Sequence, residues 1–376
     1  MAGVLRQNDA NREHAKDVAA DGRLRGRVKA ATLGGMVPAT RLLALAAVVT
    51  LAGAPSACLS RAEPCAGVAV RPGDSLECPV PEWVDRGFDL EVPAGWDGRS
   101  PLPILFAFHG GGGNRRSAAS VTCPDGKLDA PECLSAVAKA AGFALVRADG
   151  TGSRPVRNVR TWNAGGGVGP WNCTSGGACA SGVDDVRFFD DLLAEVGRVV
   201  PVDPKRVHLT GLSNGAAISH RLACERPARV ASIVTLGGAN QHVAAGGVCA
   251  GAVPVLHIHG TEDPCWAYET SGRSCLSEDG EKVGVAPSME GWRLRNGCEA
   301  GTDEAPLPDR DPADGTRSVR VRWRGCAAAT EHIRVTGGGH TWPSGHGYLG
   351  EDRIGRVTRD FGNEILVEFL RAHPKP

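Results

Sequence analysis

Residues 206–215 read Arg-Val-His-Leu-Thr-Gly-Leu-Ser-Asn-Gly, and residues 216–224 continue Ala-Ala-Ile-Ser-His-Arg-Leu-Ala-Cys. The first five have the character of a strand, and the stretch after Gly215 runs in good helix formers to about Cys224. Between them, Gly211-Leu212-Ser213-Asn214-Gly215 reads as a sharp strand-to-helix turn. Its glycines let the backbone bend tightly and leave Ser213 at the tip with a helix N-terminus beneath its Oγ. With 51 glycines in 376 residues the pentapeptide alone is weak. The strand before it and the helix after it give it meaning.

Working outward, short apolar runs alternate with helix-period segments. Strands are expected near Phe88–Val92, Ile104–Phe108, Phe143–Arg147, Val207–Thr210, Ile233–Leu236, Val255–Ile258 and Ile333–Thr336. Val186, Phe189, Leu193, Val196 and Val200 recur at helical spacing behind the acidic start Asp184-Asp185. This alternation implies an α/β fold whose mostly parallel sheet is covered by helices on both faces. Gly150–Gly182 and Pro264–Gly284 read as long loops, and Gly301–Gly315 as a solvated excursion.

Loops that follow parallel strands collect at one edge of the sheet, so distant residues can meet there. Three further stretches fall in such places. His109-Gly110-Gly111-Gly112-Gly113-Asn114 follows the strand Ile104–Phe108, residues 254–263 (PVLHIHGTED) end a strand in an acidic turn, and residues 337–343 (GGGHTWP) follow the last strand. Serine, acid and histidine in that order suit acyl transfer: Ser213 as nucleophile, His340 as base, and Asp263 as the acid that orients the imidazole, with Glu262 as its rival. The N–H groups of Gly111 and Asn214 are the expected oxyanion donors. Trp162, Trp171, Trp266 and Trp342 lie on loops beside these motifs, and Trp162, Trp266 and Trp342 are the expected aromatic cleft for substrate. Ordinary loop packing is the competing reading. His257 and His259 form an HxH pair on a strand. With no further ligand cluster of suitable spacing after them, no metal and no cofactor is expected.

Forty-two basic and 42 acidic residues balance, which gives no electrostatic reason to expect nucleic acid. Thirteen cysteines, none in a CxxC, point to an oxidising compartment. Arg41 precedes the apolar run Leu42–Gly53, too short for a bilayer span of about 20 residues and suited to a signal-peptide core. The expected organisation is an upstream extension over 1–35 with translation starting at Met36, a signal peptide over 36–57, and one catalytic domain over 58–376. The exported product is extracellular. Cys58 follows Pro55-Ser56-Ala57 and is a candidate lipid-anchor site, set against ordinary cleavage nearby. Setting Cys58 aside, sequence neighbours pair as 65 with 78, 123 with 133, 173 with 179, 224 with 249, 265 with 275 and 298 with 326. Short loops close at small entropic cost.

The segments LHIHGTEDP, LTGLSNGAAISHRLAC, HGGGGN and GGGHTWPSG together resemble the secreted polyhydroxybutyrate depolymerase and feruloyl esterase group of α/β hydrolases, over roughly Phe88–His373. Residues 148–150 (ADG), 161–163 (TWN), 184–186 (DDV) and 296–298 (NGC) extend the likeness. The resemblance implies an α/β-hydrolase fold with disulfide-stapled loops, the same three residues in the same roles, and an ester substrate, either a polyester oligomer or an acylated plant polysaccharide. It supports the 224–249 and 298–326 pairings most strongly. The chain departs from many relatives in carrying His109-Gly110-Gly111 where they carry HGC, and in its cysteine-bearing loops at 123–133 and 265–275. These departures leave the ester open among hydroxybutyrate oligomers, feruloyl sugars and acetylated xylan. A catalytically silent carbohydrate- or surface-binding protein on the same fold is the alternative from another class, and oligomeric state is not legible.

Overall fold

A computed structural model describes residues 65–153, 158–174, 176–271 and 280–376. The signal segment, Cys58 and Cys275 lie outside the described residues. The strands are β1 (Ser75–Pro79), β2 (Gly87–Glu91), β3 (Leu102–Phe108), β4 (Ala144–Ala148), β5 (Thr151–Ser153) and β6 (Val159–Thr161), then β7 (Val202–Leu212), β8 (Ser232–Leu236), β9 (Val255–Gly260), β10 (Thr302–Pro306), β11 (Arg317–Trp323) and β12 (Thr330–Thr336). Ten of them form one sheet in the order β1-β2-β4-β3-β7-β8-β9-β12-β11-β10. The six from β4 to β12 pair in parallel, and β1-β2 and β11-β10 extend the two edges antiparallel.

The central strands are buried on both faces, as a parallel sheet under helices requires. Along β3, Ile104, Phe106 and Phe108 enter one core while Leu105 and Ala107 enter the other. The first core receives Phe188, Phe189, Leu192 and Val196 of the helix Asp185–Val199, together with Ile218 and Leu222 of the helix Asn214–Glu225. The second receives Leu134 and Ala138 of the helix Leu134–Ala140, and Leu366, Phe369 and Leu370 of the helix Asn363–Ala372. The helix Asp185–Val199 starts where the Asp184 side chain accepts the Arg187 N–H at 2.9 Å.

All seven expected strands are present, with ends shifted by up to five residues, the largest at the start of β7. Two expected loops hold more structure than their composition suggests. Gly150–Gly182 contains the β5-β6 hairpin and the short helix Gly177–Ala180. Gly301–Gly315 contributes the edge strand β10, most of whose residues are exposed: it is solvated as expected, yet hydrogen-bonded to β11. Disulfides join Cys65–Cys78, Cys123–Cys133, Cys173–Cys179, Cys224–Cys249 and Cys298–Cys326, and Cys265 is also disulfide-bonded.

Candidate active site

β7 ends at Leu212 and the next helix begins at Asn214, so Ser213 alone makes the turn, at φ 61° and ψ −122°. A non-glycine residue in that region carries strain of about 1–3 kcal/mol and persists only where its surroundings fix it. Here the Ser213 N–H donates to Leu236 O at 2.8 Å, and Ser213 O accepts the Ala217 N–H at 3.0 Å. Backbone crowding explains the flanking glycines: a Cβ at Gly215 would lie 2.2 Å from Phe108 O. Ser213 is partly exposed whereas Asn214 is buried.

The Asn214 side chain turns inward. It accepts the Trp162 N–H at 2.6 Å and donates to Trp162 O and to Thr174, tying the turn to the loop stapled by Cys173–Cys179. Its backbone N–H, first in the helix, has no acceptor among the described residues; nor has that of Gly111. The glycine loop lies against the turn, since a Cβ at Gly110 would lie 3.5 Å from Ser213 Cβ. His109 fixes this loop from below. It is buried, its Nε2 accepts the Gly150 N–H at 2.9 Å, and its Nδ1 faces Gly110 O at 2.8 Å. Burial holds its pKa down at about 4, so the ring is neutral.

Asp263 follows β9 and His340 follows β12, the adjacent parallel strand. His340 Nδ1 donates to Asp263 Oδ2 at 2.7 Å, and both side chains are buried. Asp263 Oδ1 accepts the N–H groups of Cys265 and Trp266, each at 2.8 Å. Burial alone would push this carboxyl up, but the charge of His340 and hydrogen bonds from His259 and His340 hold it well below the ordinary carboxylate range. The His340 ring sits over the end of β8: a Cβ at Gly237 would lie 3.1 Å from His340 Nδ1 and 3.3 Å from a methyl of Leu212, the residue before Ser213. Tyr348 donates its O–H to His340 O at 3.3 Å. Glu262 is exposed and lies 3.7 Å from Arg356, so it does not share the Asp263 position.

The expected tryptophan platform is corrected by burial. Trp162, Trp266 and Trp342 are 1%, 2% and 1% exposed. Their indole N–H groups donate inward, to His109 O at 3.0 Å, Val283 O at 2.8 Å and Asn363 Oδ1 at 2.8 Å. Large apolar rings close to the sheet edge fill space beneath the loops and do not face a ligand. Among the described residues, Asp263, Cys265 and His340 bring candidate ligand atoms within 4.8 Å of one another. Cys265 is a half-cystine and the other two bond each other, a donor set suited to proton handling and poorly suited to a cation. Sequence reasoning gave no role to His109, the Asn214 side chain or Tyr348. The position of His109 at a strand end, directly before the glycines, was the available signal for the first.

No family model matches the chain. It is 28% identical over 290 residues to the esterase NocK of Nocardia uniformis subsp. tsuyamanensis, covering 74% of this chain and 76% of that protein. It is 27% identical to feruloyl esterase C of Emericella nidulans, covering 70% and 79%. Acetyl xylan esterase from Aspergillus awamori, a solved structure, superposes with a TM-score of 0.45 at 13% identity over 72% of this chain and 94% of that one. A parallel sheet covered on both faces, carrying serine, aspartate and histidine in that order on loops at one edge, is the architecture of the α/β hydrolases. Within that group the chain is a carboxylic ester hydrolase, related to the feruloyl esterases.

Proposed function

We propose that the chain is an exported serine esterase working through an acyl-enzyme on Ser213. Ser213 Oγ attacks the ester carbonyl carbon while His340 Nε2 takes its proton. The N–H groups of Gly111 and Asn214 stabilise the oxyanion, and the alcohol departs with the proton from His340. Water, activated by the same imidazole, then releases the acid and frees Ser213. The observation that carries this reading is the buried Asp263–His340 pair. Asp263 is oriented by two backbone N–H groups, and His340 is packed against the strand end that leads to Ser213.

The substrate class is an acylated polysaccharide or a polyester oligomer, in keeping with relatives named feruloyl esterase. Export, with residues 36–57 as signal and 58–376 as the mature catalytic domain, is supported by the disulfides, which persist in oxidising compartments. Intact mass of the exported protein tests the start: an acylated N-terminus at Cys58 marks a lipid anchor, and an unmodified one marks free secretion. A fluorophosphonate probe tests the chemistry. Covalent labelling of Ser213 in folded protein is expected, and its absence favours a silent binding protein. Hydrolysis rates on feruloylated arabinose, acetylated xylan and hydroxybutyrate trimer then assign the ester.

A further inference from the structure

His259 stands on β9 four residues before Asp263, with no exposed side-chain surface. Its Nε2 faces two oxygens, Trp266 O at 2.8 Å and Asp263 Oδ2 at 3.4 Å. A carbonyl and a carboxylate only accept, so Nε2 carries the hydrogen. In a neutral ring Nδ1 then accepts, and the atom beside it is His257 Nε2 at 3.1 Å. His257 Nε2 therefore donates, which leaves its Nδ1 to accept from Thr235 Oγ1 at 2.9 Å. With both rings neutral this assignment satisfies every atom, and it runs from Thr235 to His257, from His257 to His259 and from His259 to the Asp263 loop.

The sheet builds this chain. Thr235 on β8 and His257 on β9 are register partners, and His332 on β12 is the next residue in the same row. His332 Nδ1 bonds His257 O at 2.9 Å and its Nε2 meets the Tyr268 hydroxyl at 2.9 Å, closing the row on its far side. Burial holds the imidazole of His257 well below its ordinary range and keeps it neutral. At the other end, both Asp263 oxygens are held. Oδ1 takes the N–H groups of Cys265 and Trp266, while Oδ2 takes His340 and lies 3.4 Å from the His259 Nε2 that bonds Trp266 O. With three hydrogen bonds and that contact around it, the carboxylate cannot rotate without losing a bond.

We propose that His259, seated by His257 and Thr235, is a positioning residue that locks the Asp263 carboxylate and the Trp266 carbonyl together, so that Oδ2 stays aimed at His340 Nδ1. The proposal rests on Asp263 being the acid of the site.

The test uses the full mature chain, with steady-state kinetics on a soluble aryl ester, the rate of fluorophosphonate labelling, and the downfield proton NMR signal of the His340–Asp263 bond. His259→Phe is expected to lower kcat and the labelling rate about tenfold to a hundredfold, as a misplacement of about 1 Å does. KM should stay within about twofold. His259→Gln, whose amide N–H reaches the same place, is expected to recover most of that loss, which a purely structural role would not predict. Thr235→Val, the mildest change, is expected to move the downfield resonance and lower kcat about threefold; it decides the matter if His259→Phe does not fold. Unchanged kcat and resonance, a loss confined to KM, or no recovery by glutamine overturns the proposal. If wild-type Ser213 is not labelled, the esterase reading itself fails; if it is labelled and His259→Phe labels as fast, only this inference falls.

Discussion

Asp263 and Asp185 are both buried carboxylates, and burial pushes both upward, yet they end on opposite sides of the ordinary range. Asp185, in the first turn of the helix Asp185–Val199, lies 2.7 Å from an Arg86 nitrogen and accepts the Asn163 N–H at 2.6 Å, and its pKa stays raised. Asp263 is pulled well below by His340, His259 and their hydrogen bonds. The partners differ as much as the acids. The Arg86 guanidinium lies 3.3 Å from the Phe188 ring centroid, between Trp83 and Trp162, enclosed on all sides. His340 has one nitrogen committed to Asp263, and among the described residues its Nε2 takes no hydrogen bond. A charge pair buried among aromatic rings holds the fold together. One with an unused nitrogen, packed at the strand end that leads to a partly exposed serine, can move a proton.

The sharpest way to break the comparison is at the serine. Ser213→Ala should lower kcat about a millionfold, measured as ester hydrolysis by folded enzyme, with His340→Ala about equal. Asp263→Asn should fold normally, by circular dichroism, and lose activity about ten-thousandfold, because the amide cannot hold the imidazole as the carboxylate does. The Asp185 site should behave in the opposite way. Arg86→Met leaves a buried unpaired carboxylate, and denaturant unfolding should show a loss of about 3–5 kcal/mol while kcat of the folded fraction stays within about threefold.

Acid sharpens the contrast further. His109 is lowered from 6.5 to about 4, and His208, His220 and His332 to about 3, all by burial. Below 6.5 the unfolded chain takes up protons that the folded rings refuse. Stability is therefore full above about pH 6.5 and falls as pH drops toward 4, by about 1.4 kcal/mol per pH unit for each such histidine. Thermal melts between pH 7 and 4 check the slope; a flat profile would mean these rings titrate normally. Glu262→Gln, at the exposed neighbour of the acid, should leave kcat within about twofold.

Much of this site was legible because strand order and loop position are properties of the sequence. A buried parallel strand announces itself by unbroken apolar residues, as Ile104–Phe108 and Val255–Ile258 do, and the residue after it must reach the sheet edge. Ser213, Asp263 and His340 follow from that rule. The edge strand Thr302–Pro306 does not, because exposed Asp303 and Glu304 give it the composition of a loop while its pairing comes from β11. The tryptophans were misread since membership of a loop says nothing about which way a ring turns. Trp162 and Trp342 point into the two cores. The hydrogen-bond row through Thr235, His257 and His332 joins residues about 20 and 75 positions apart, and only strand register brings them side by side.

The crowding around the turn has a consequence for how such a protein changes over generations. A Cβ at Gly211 would lie 2.5 Å from the Gly215 carbonyl carbon, one at Gly238 would lie 2.2 Å from Ser213 O, and one at Gly260 would lie 2.2 Å from Gly338 O. Each neighbour is main chain and has nowhere to go. Mutational drift is shut out of this nucleus whatever ester is favoured, so new specificities have to be sampled at side-chain-bearing positions such as those of 158–174 and 176–182, whose own Gly165 and Gly166 are crowded by main chain as tightly. A combinatorial library that randomised those segments and left the glycines alone would search the part of sequence space that selection itself can reach.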